Sequence, residues 1–245
     1  MIRAVGLILA LAMPSVTDAM ECRQALALGL DVSGSVDARE YRLQLSGVAS
    51  ALDAPEVREK LLSMPAAPVM LMIYEWSGPN DQAVVLPWMR IDTHASIDTI
   101  IETLRQTRRR DATPGTALGV AMQVGQAFLA QRPDCWKHTL DISGDGKSNL
   151  GPRPRDVRDQ IEASGITVNG LVIGIDDPDI GDIRQAEIGE LSSYFRAEVI
   201  VGPEAFVHTA IGFNDYARAM TQKLLRELES LVFSQVTTDP APATQ

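Results

Sequence analysis

Histidine, cysteine and basic residues are scarce in this chain. Its 245 residues include three His and two Cys, and 32 Asp and Glu outnumber 22 Lys and Arg to give a net charge of −10. Because binding to phosphates needs an excess of positive charge, this balance argues against a nucleic-acid partner. The two cysteines do not form a Cys-x-x-Cys motif, and with so few histidines available as a base, thiol catalysis has little support.

Long apolar runs are also missing. The run from Ala4 to Met13 is too short to cross a bilayer, but it lies between a basic start and Thr17-Asp18-Ala19, which is the order of a secretory signal peptide. The alternative, an N-terminal helix of the mature protein, is disfavoured because the run has no polar face. We predict a signal peptide over 1–19, a domain over 20–234, and a flexible tail over 235–245. Export to the periplasm or the exterior follows, with no membrane-spanning segment in the mature chain.

The two cysteines occupy equivalent places in the sequence. Cys22 lies nine residues before Asp31, and Cys135 lies ten residues before Asp145. Both therefore stand at the start of a predicted strand, and in an oxidising compartment a single disulfide between neighbouring strands is the natural pairing. Free buried thiols that pack as small apolar residues are the alternative.

Apolar runs alternate with segments of helical spacing, and 45% of the residues are apolar. The predicted strands are Ala25 to Leu30, Val69 to Tyr74, Ala83 to Met89, His138 to Ile142, Val168 to Ile175 and Phe206 to Ile211. The predicted helices are Tyr41 to Leu52, Ile97 to Leu104, Leu118 to Gly125 and Phe213 to Leu228. A short link over 78–81 makes the second and third strands a hairpin. We predict one α/β domain: a doubly wound, mostly parallel sheet with one antiparallel edge strand and helices on both faces.

Three polar loops lie where such sheets bind ligands, beyond the carboxyl ends of the strands. Loop 1 is Asp31-x-Ser33-x-Ser35, loop 2 runs from Thr113 to Thr116, and loop 3 runs from Ser143 to Gly146. Oxygen atoms at alternate positions of loop 1 converge on one point, as Mg²⁺, Mn²⁺ or Ca²⁺ requires. Each loop alone also fits a structural use, a helix cap for loops 1 and 2 and a tight turn for loop 3.

Together the three loops resemble the metal-ion-dependent adhesion site of von Willebrand factor type A (VWA) domains. The matching positions, in order and approximate spacing, are Asp31, Ser33, Ser35, Thr116 and Asp145. The resemblance covers nearly the whole mature chain and implies a Rossmann-like VWA fold. It also implies that Asp31, the two serines and Thr116 or Asp145 hold a divalent cation, directly or through water. Mg²⁺ is the first choice, with Mn²⁺ or Ca²⁺ as alternatives, and an Asp or Glu of a protein partner completes the ligand shell.

Two segments outside the loops indicate which branch of the family the chain resembles. The segments Glu75-Trp76-Ser77-Gly78 and Gly202 to Phe206 are similar to a branch of secreted bacterial proteins of this fold. Loop 3 departs from the Thr-Asp-Gly that the family often has, because Ser-Gly-Asp-Gly contains an additional glycine.

Other motifs compete with this interpretation. Gly146-Lys147-Ser148 resembles the end of a phosphate-binding loop, but that pattern needs Gly where Asp141 stands, so no nucleotide is expected. An EF-hand loop starting at Asp141 would need Glu where Pro152 stands. The acidic residues Asp176, Asp177, Asp179 and Asp182 favour a solvated loop over a second cation site.

The basic run of Arg108, Arg109 and Arg110 favours a solvated helix end, from which it could steer an acidic ligand towards the metal. The sequence therefore predicts an exported, non-enzymatic binding module that engages an acidic group of a protein through a divalent cation. One alternative is a metal-assisted hydrolase that uses Ser33 or a metal-bound water as nucleophile. The other is a VWA scaffold that does not use the metal.

Overall fold

The computed structural model describes residues 21–174 and 181–229. The predicted signal peptide, the predicted tail and the acidic residues 176–179 lie outside the described residues. The strands are Cys22–Asp31 (β1), Val69–Trp76 (β2), Gln82–Ile91 (β3), Cys135–Gly144 (β4), Thr167–Ile173 (β5) and Val207–Ala210 (β6). The helices are Ala38–Asp53 (α1), Pro55–Leu62 (α2), His94–Gln106 (α3), Leu118–Leu129 (α4), Pro154–Glu162 (α5), Gly181–Glu198 (α6) and Tyr216–Glu229 (α7).

The strands form one sheet in the order β3-β2-β1-β4-β5-β6. All neighbours are parallel except β2 and β3, which form the predicted antiparallel hairpin at one edge. The chain proceeds from β1 towards β3 on one side and from β4 towards β6 on the other, so the strand order reverses between β1 and β4. The carboxyl ends of these two strands therefore flank the crevice where such sheets bind ligands.

Helices cover both faces of the sheet, as predicted. One buried apolar cluster joins the sheet to α1, α2, α3 and α7, and a second joins it to α4, α5 and α6. Every residue of β1 and β2 is buried, which explains why both strands are mainly apolar. Within the described residues, the structure has no helix that is both long and apolar enough to cross a bilayer.

The helices show where sequence patterns were sufficient and where they were not. The four predicted helices are present, although Phe213–Asp215 forms a separate 3₁₀ turn and α7 begins only at Tyr216. The first helix opens with a capping box: Glu40 N donates to Asp37 Oδ1 (2.7 Å) and Asp37 N donates to Glu40 Oε2 (2.8 Å). Sequence analysis did not predict α2, α5 or α6.

The predicted disulfide is present at the amino ends of the parallel strands, whereas the three loops lie at their carboxyl ends. Cys22 and Cys135 are paired in the parallel register of β1 and β4, with their Cα atoms 4.3 Å apart. Both side chains are buried. The same two strands therefore carry a covalent link where they begin and candidate metal ligands where they end.

Candidate metal centre

Loop 1 begins at the last residue of β1. Asp31 is fully buried, and its Oδ1 accepts a hydrogen bond from Ser33 N (2.8 Å). The buried Gln44 of α1 donates to the Asp31 carbonyl oxygen (2.9 Å) and so fixes the end of the strand. Asp31 Oδ2 is buried and has no hydrogen-bond partner among the described residues. A buried carboxylate oxygen without a partner is costly unless it has a ligand.

Loop 3 reaches loop 1 in spite of its additional glycine. Ser35 Oγ donates to Asp145 Oδ1 (2.7 Å), and Ser35 Oγ lies 3.3 Å from Ser33 Oγ. The residues Ser143 and Gly144 still belong to β4, so the turn itself starts at Asp145. A Cβ atom added to Gly144 would lie 3.4 Å from Asp31 Oδ2, which places the backbone of loop 3 beside the unpartnered oxygen.

Loop 2 brings Thr116 to the same edge through its backbone. Gly34 N of loop 1 donates to the carbonyl oxygen of Pro114 (3.1 Å), which joins loops 1 and 2 directly. On the other side, Thr116 N donates to Asn149 Oδ1 (2.9 Å), and the Thr116 carbonyl oxygen accepts from Asn149 N (2.9 Å). Thr116 is nearly buried, with 7% of its surface exposed. The helix α4 begins two residues later.

The two acidic residues of the centre resist ionisation in the absence of a cation. Burial, followed by the negative charge of Asp145, raises the pKa of Asp31 to about 8, although polar groups of Ser33 and the Asp145 backbone act in the opposite direction. Burial likewise raises the pKa of Asp145. A bound divalent cation would favour the ionised form of both carboxylates.

These residues fit a hard divalent cation. The set has two carboxylates and three hydroxyl groups, all oxygen donors, and one carboxylate oxygen is buried without a partner. Asp31, Ser33, Ser35, Thr116 and Asp145 would hold the ion, which when bound supplies a positive centre that accepts an anionic ligand. Within the described ranges, no group of three or more His, Cys, Asp or Glu side chains offers another metal site.

The competing motifs are committed to other contacts. Asp141 is fully buried with its Oδ2 2.6 Å from Lys223 Nζ, and this lysine also donates to Glu227 Oε1 (2.7 Å). Lys147 Nζ donates to Glu190 Oε1 (2.5 Å), and Ser148 Oγ donates to the Thr116 carbonyl oxygen (3.2 Å). The phosphate-loop and EF-hand interpretations are thus unsupported in the structure as well as in the sequence.

The arginine run is only partly a solvated helix end. Helix α3 already ends at Gln106, and Arg108 is exposed, as expected. However, Arg109 Nη2 donates to the Val36 carbonyl oxygen beside loop 1 (2.6 Å), and Arg110 forms ion pairs with Glu75 and Asp81. Arg109 therefore contacts the segment that follows loop 1, and Arg110 is linked to loop 2 through Asp81.

The residues that support the loops were not predicted in that role from the sequence. Asp81 and Asn149 contact loop 2 directly. Arg110 binds Asp81 and also binds Glu75, and all four residues lie far apart in the sequence. Position offered one signal: Glu75 is an acidic residue inside an otherwise apolar strand, next to the edge that carries loop 1. An acidic residue at such a position needs a buried partner.

Comparisons with known proteins agree with this fold. The family model described as "Protein of unknown function (DUF1194)" matches residues 21–232. No curated protein has a significantly similar sequence. Among solved structures, proximal thread matrix protein 1 (PTMP1) from the mussel byssus has a TM-score of 0.57 and 16% identity, with 86% of this chain and 49% of that chain covered.

Two bacterial structures are similar to the same extent. The von Willebrand factor type A protein from Catenulispora acidiphila has a TM-score of 0.56 and 17% identity, with 84% of this chain and 43% of that chain covered. The vWF domain of the type V pili tip protein Mfa5 from Porphyromonas gingivalis has a TM-score of 0.57 and 10% identity, with coverage of 89% and 99%. The chain thus spans less than half of the mussel and Catenulispora chains but nearly all of the Mfa5 domain. It belongs to the DUF1194 family and has the fold of a VWA domain.

Proposed function

We propose that this protein is an exported binding module that holds a divalent cation between loops 1, 2 and 3 and uses it to bind a carboxylate of a protein partner. The observation that carries the proposal is Asp31 Oδ2, a buried carboxylate oxygen without a hydrogen-bond partner among the described residues, at the crevice where the strand order reverses. In the same centre, Ser35 Oγ donates a hydrogen bond to Asp145 Oδ1 (2.7 Å) and so joins loop 1 to loop 3.

The donor set explains why the cation would remain available to a partner. Two carboxylates and three neutral hydroxyl groups give at most two negative charges, so a doubly charged ion is not surrounded by excess negative charge. Mg²⁺ usually keeps several waters, and an acidic side chain can displace one of them reversibly. The negative net charge of this chain disfavours acidic partners at long range, which makes the metal the feature that selects a carboxylate.

The similar structures support the same reading. One of them is PTMP1 with a zinc-occupied MIDAS motif, at 17% identity and a TM-score of 0.57. The pilus adhesin SpaC and the pili tip protein Mfa5 also have this fold, in accord with export of the present chain. The hydrolase alternative has less support, since none of the five candidate ligands is a histidine and His138 contacts the Arg132 carbonyl oxygen (2.7 Å) near the start of β4, away from the three loops.

The first test is calorimetric titration of chelator-treated protein with Mg²⁺, Mn²⁺ and Ca²⁺. We expect Asp31→Asn to abolish binding because it removes the buried negative charge without changing the size of the side chain. Asp98→Asn is the matched control, because Asp98 pairs with Arg58 (2.5 Å) near the start of α3, at the edge away from the three loops. Equal affinity of wild type and Asp31→Asn would place the cation elsewhere.

A second measurement addresses the carboxylate. With Mn²⁺ bound, the water-proton relaxation rate reports the waters on the metal, and acetate should lower that rate by displacing one of them. Acetamide, which has a similar shape but no charge, should leave the rate unchanged. Equal responses to both compounds would contradict carboxylate recognition while leaving metal binding intact.

A further inference from the structure

A hydrogen-bonded network lies behind loop 2 and includes none of the five candidate ligands. Its members come from α1, β2, the turn between β2 and β3, and the segment after α3. We call it the Asp81 network, and it consists of Tyr41, Glu75, Ser77, Asp81, Arg110 and Thr113.

Asp81 is the centre of the network. Its Oδ2 accepts hydrogen bonds from Thr113 N (2.5 Å) and Ser77 Oγ (2.9 Å), and its Oδ1 pairs with Arg110 Nη1. Burial acts to raise the pKa of Asp81, but the hydrogen bonds from Thr113, Arg110 and Ser77 outweigh it and lower the pKa to about 2. Asp81 therefore stays ionised over the whole range in which the protein is expected to work.

Arg110 extends the network into the core. Its Nε donates to Oε2 of Glu75 (3.1 Å), whose side chain is only 3% exposed, and Tyr41 Oη donates to Oε1 of the same carboxylate (2.5 Å). One guanidinium thus bridges two carboxylates on different parts of the fold. Partly buried ion pairs of this kind add little net stability, because the cost of removing the charges from water offsets much of their attraction. What such charge-assisted hydrogen bonds supply is a defined geometry.

Hydrogen bonds hold the backbone of loop 2 at both of its ends. Thr113 is fixed by Asp81, and its Oγ1 also accepts from Gly78 N (3.1 Å). On the far side of Thr116, Ala117 N donates to the Ser77 carbonyl oxygen (2.7 Å). A Cβ atom on Gly78 would lie 2.3 Å from Thr113 Oγ1, so only glycine permits this approach. The backbone from Thr113 to Ala117 lies outside regular secondary structure, and these contacts replace the ladder that a helix or strand would provide.

We propose that Asp81, Arg110 and Glu75 are positioning residues for the metal centre, which hold loop 2 so that Thr116 stays beside loop 1. This inference rests on the proposed function. It gives a role to three residues of the segment Glu75-Trp76-Ser77-Gly78. Glu75 binds Arg110, Ser77 binds Asp81, and Gly78 leaves space for the side chain of Thr113. Supporting residues around a metal centre typically change its affinity by 10- to 100-fold when they are replaced.

The test compares Asp81→Asn and Arg110→Lys with Asp98→Asn as the control for loss of an ion pair elsewhere. Arg110→Lys keeps the charge, but a single ammonium does not reproduce the bridge between Glu75 and Asp81. We expect Mn²⁺ affinity to fall by about 10- to 100-fold in both network variants and to stay unchanged in the control. Hydrogen–deuterium exchange, measured in chelator, should become faster in the peptide over 112–117 of the network variants only.

Three outcomes decide the inference. Folded Asp81→Asn and Arg110→Lys proteins with wild-type Mn²⁺ affinity and wild-type exchange over 112–117 would overturn it. If neither variant folds, Ser77→Ala removes only the contacts of one hydroxyl group, to Asp81 and to Thr113 Oγ1, and the same two readouts apply to it. If wild type itself binds no Mn²⁺, the proposed function fails, whereas faster exchange over 112–117 in chelator would still show that the network positions loop 2.

Discussion

Reduction of the Cys22–Cys135 disulfide should destabilise the protein strongly without altering the candidate metal centre. The link closes a loop with a sequence separation of 113 residues. In the chain-entropy account, a loop of that length restricts the unfolded chain enough to stabilise the folded state by about 5 kcal/mol at 25 °C. Since domains typically unfold with only about 5–15 kcal/mol, the reduced protein should be marginally stable.

The affinity of the candidate metal centre for Mn²⁺ should not change, because the centre lies at the other end of the same strands. Strand β1 has ten residues from Cys22 to Asp31. At about 3.3 Å per residue, it separates the disulfide from Asp31 by about 30 Å. Residues that far apart and without shared partners are expected to contribute independently.

The assay is urea unfolding of oxidised and fully reduced wild type, with Mn²⁺ titration of each under conditions where it is folded. The double variant Cys22→Ala/Cys135→Ala provides the control. Relative to oxidised wild type, its free energy of unfolding should fall by as much as on reduction, plus a small packing contribution from the missing sulfur atoms. A loss below about 1 kcal/mol on reduction would refute the chain-entropy reasoning. A large loss of Mn²⁺ affinity in folded, reduced protein would refute the independence of the two edges.

Two further predictions concern buried charge. In chelator, the free energy of unfolding should fall as the pH rises from about 4 to about 8, because Asp31 has a pKa of about 8 when folded and about 3.9 when unfolded, so that the folded state binds more protons in this window. Asp31→Asn should flatten that part of the curve, and identical slopes in urea melts would contradict the argument. Lys223→Met should destabilise by about 3–5 kcal/mol, because it leaves the buried Asp141 and Glu227 without their shared cation. Lys60→Met, at a surface pair with Glu229 (3.9 Å), should cost less than about 1 kcal/mol in the same melts.

The sequence predicted those parts of the fold that depend on local patterns. Apolar runs, several of them unbroken, indicated all six strands, and the helical spacing from Tyr41 to Leu52 indicated α1. The helix α2 escaped notice because it follows α1 after one residue and buries only Val57 and Leu61, too few positions to establish a period. By contrast, Leu191 and Phe195 in α6 and Val199 directly after it lie at helical spacing and are buried, so the second half of α6 could have been predicted.

The supporting contacts of the candidate centre depend on tertiary structure. The pair of Asp81 and Arg110 is separated by 29 residues, and each residue alone is typical of a solvated turn or helix end. Likewise, nothing in the apolar pattern of β4 distinguishes Asp141 as the partner of a lysine 82 residues later, a separation that follows from the numbers of Asp141 and Lys223. Such pairs are determined by which elements become neighbours in the sheet, and local periodicity does not contain that information.

The central position of β1 also determines when the candidate centre can exist during folding. The strands β1, β2 and β3 are close in sequence and pair with one another, so this half of the sheet can form early. Strand β4 joins β1 only after more than 100 intervening residues have been accommodated, and it alone brings Asp145 to Ser35. Loops 1 and 2 belong to the early half, whereas loop 3 belongs to the late one. A cation that requires all three loops would therefore bind only to a chain whose two halves have joined. The rate of cation binding during refolding would then report the rate at which β4 pairs with β1.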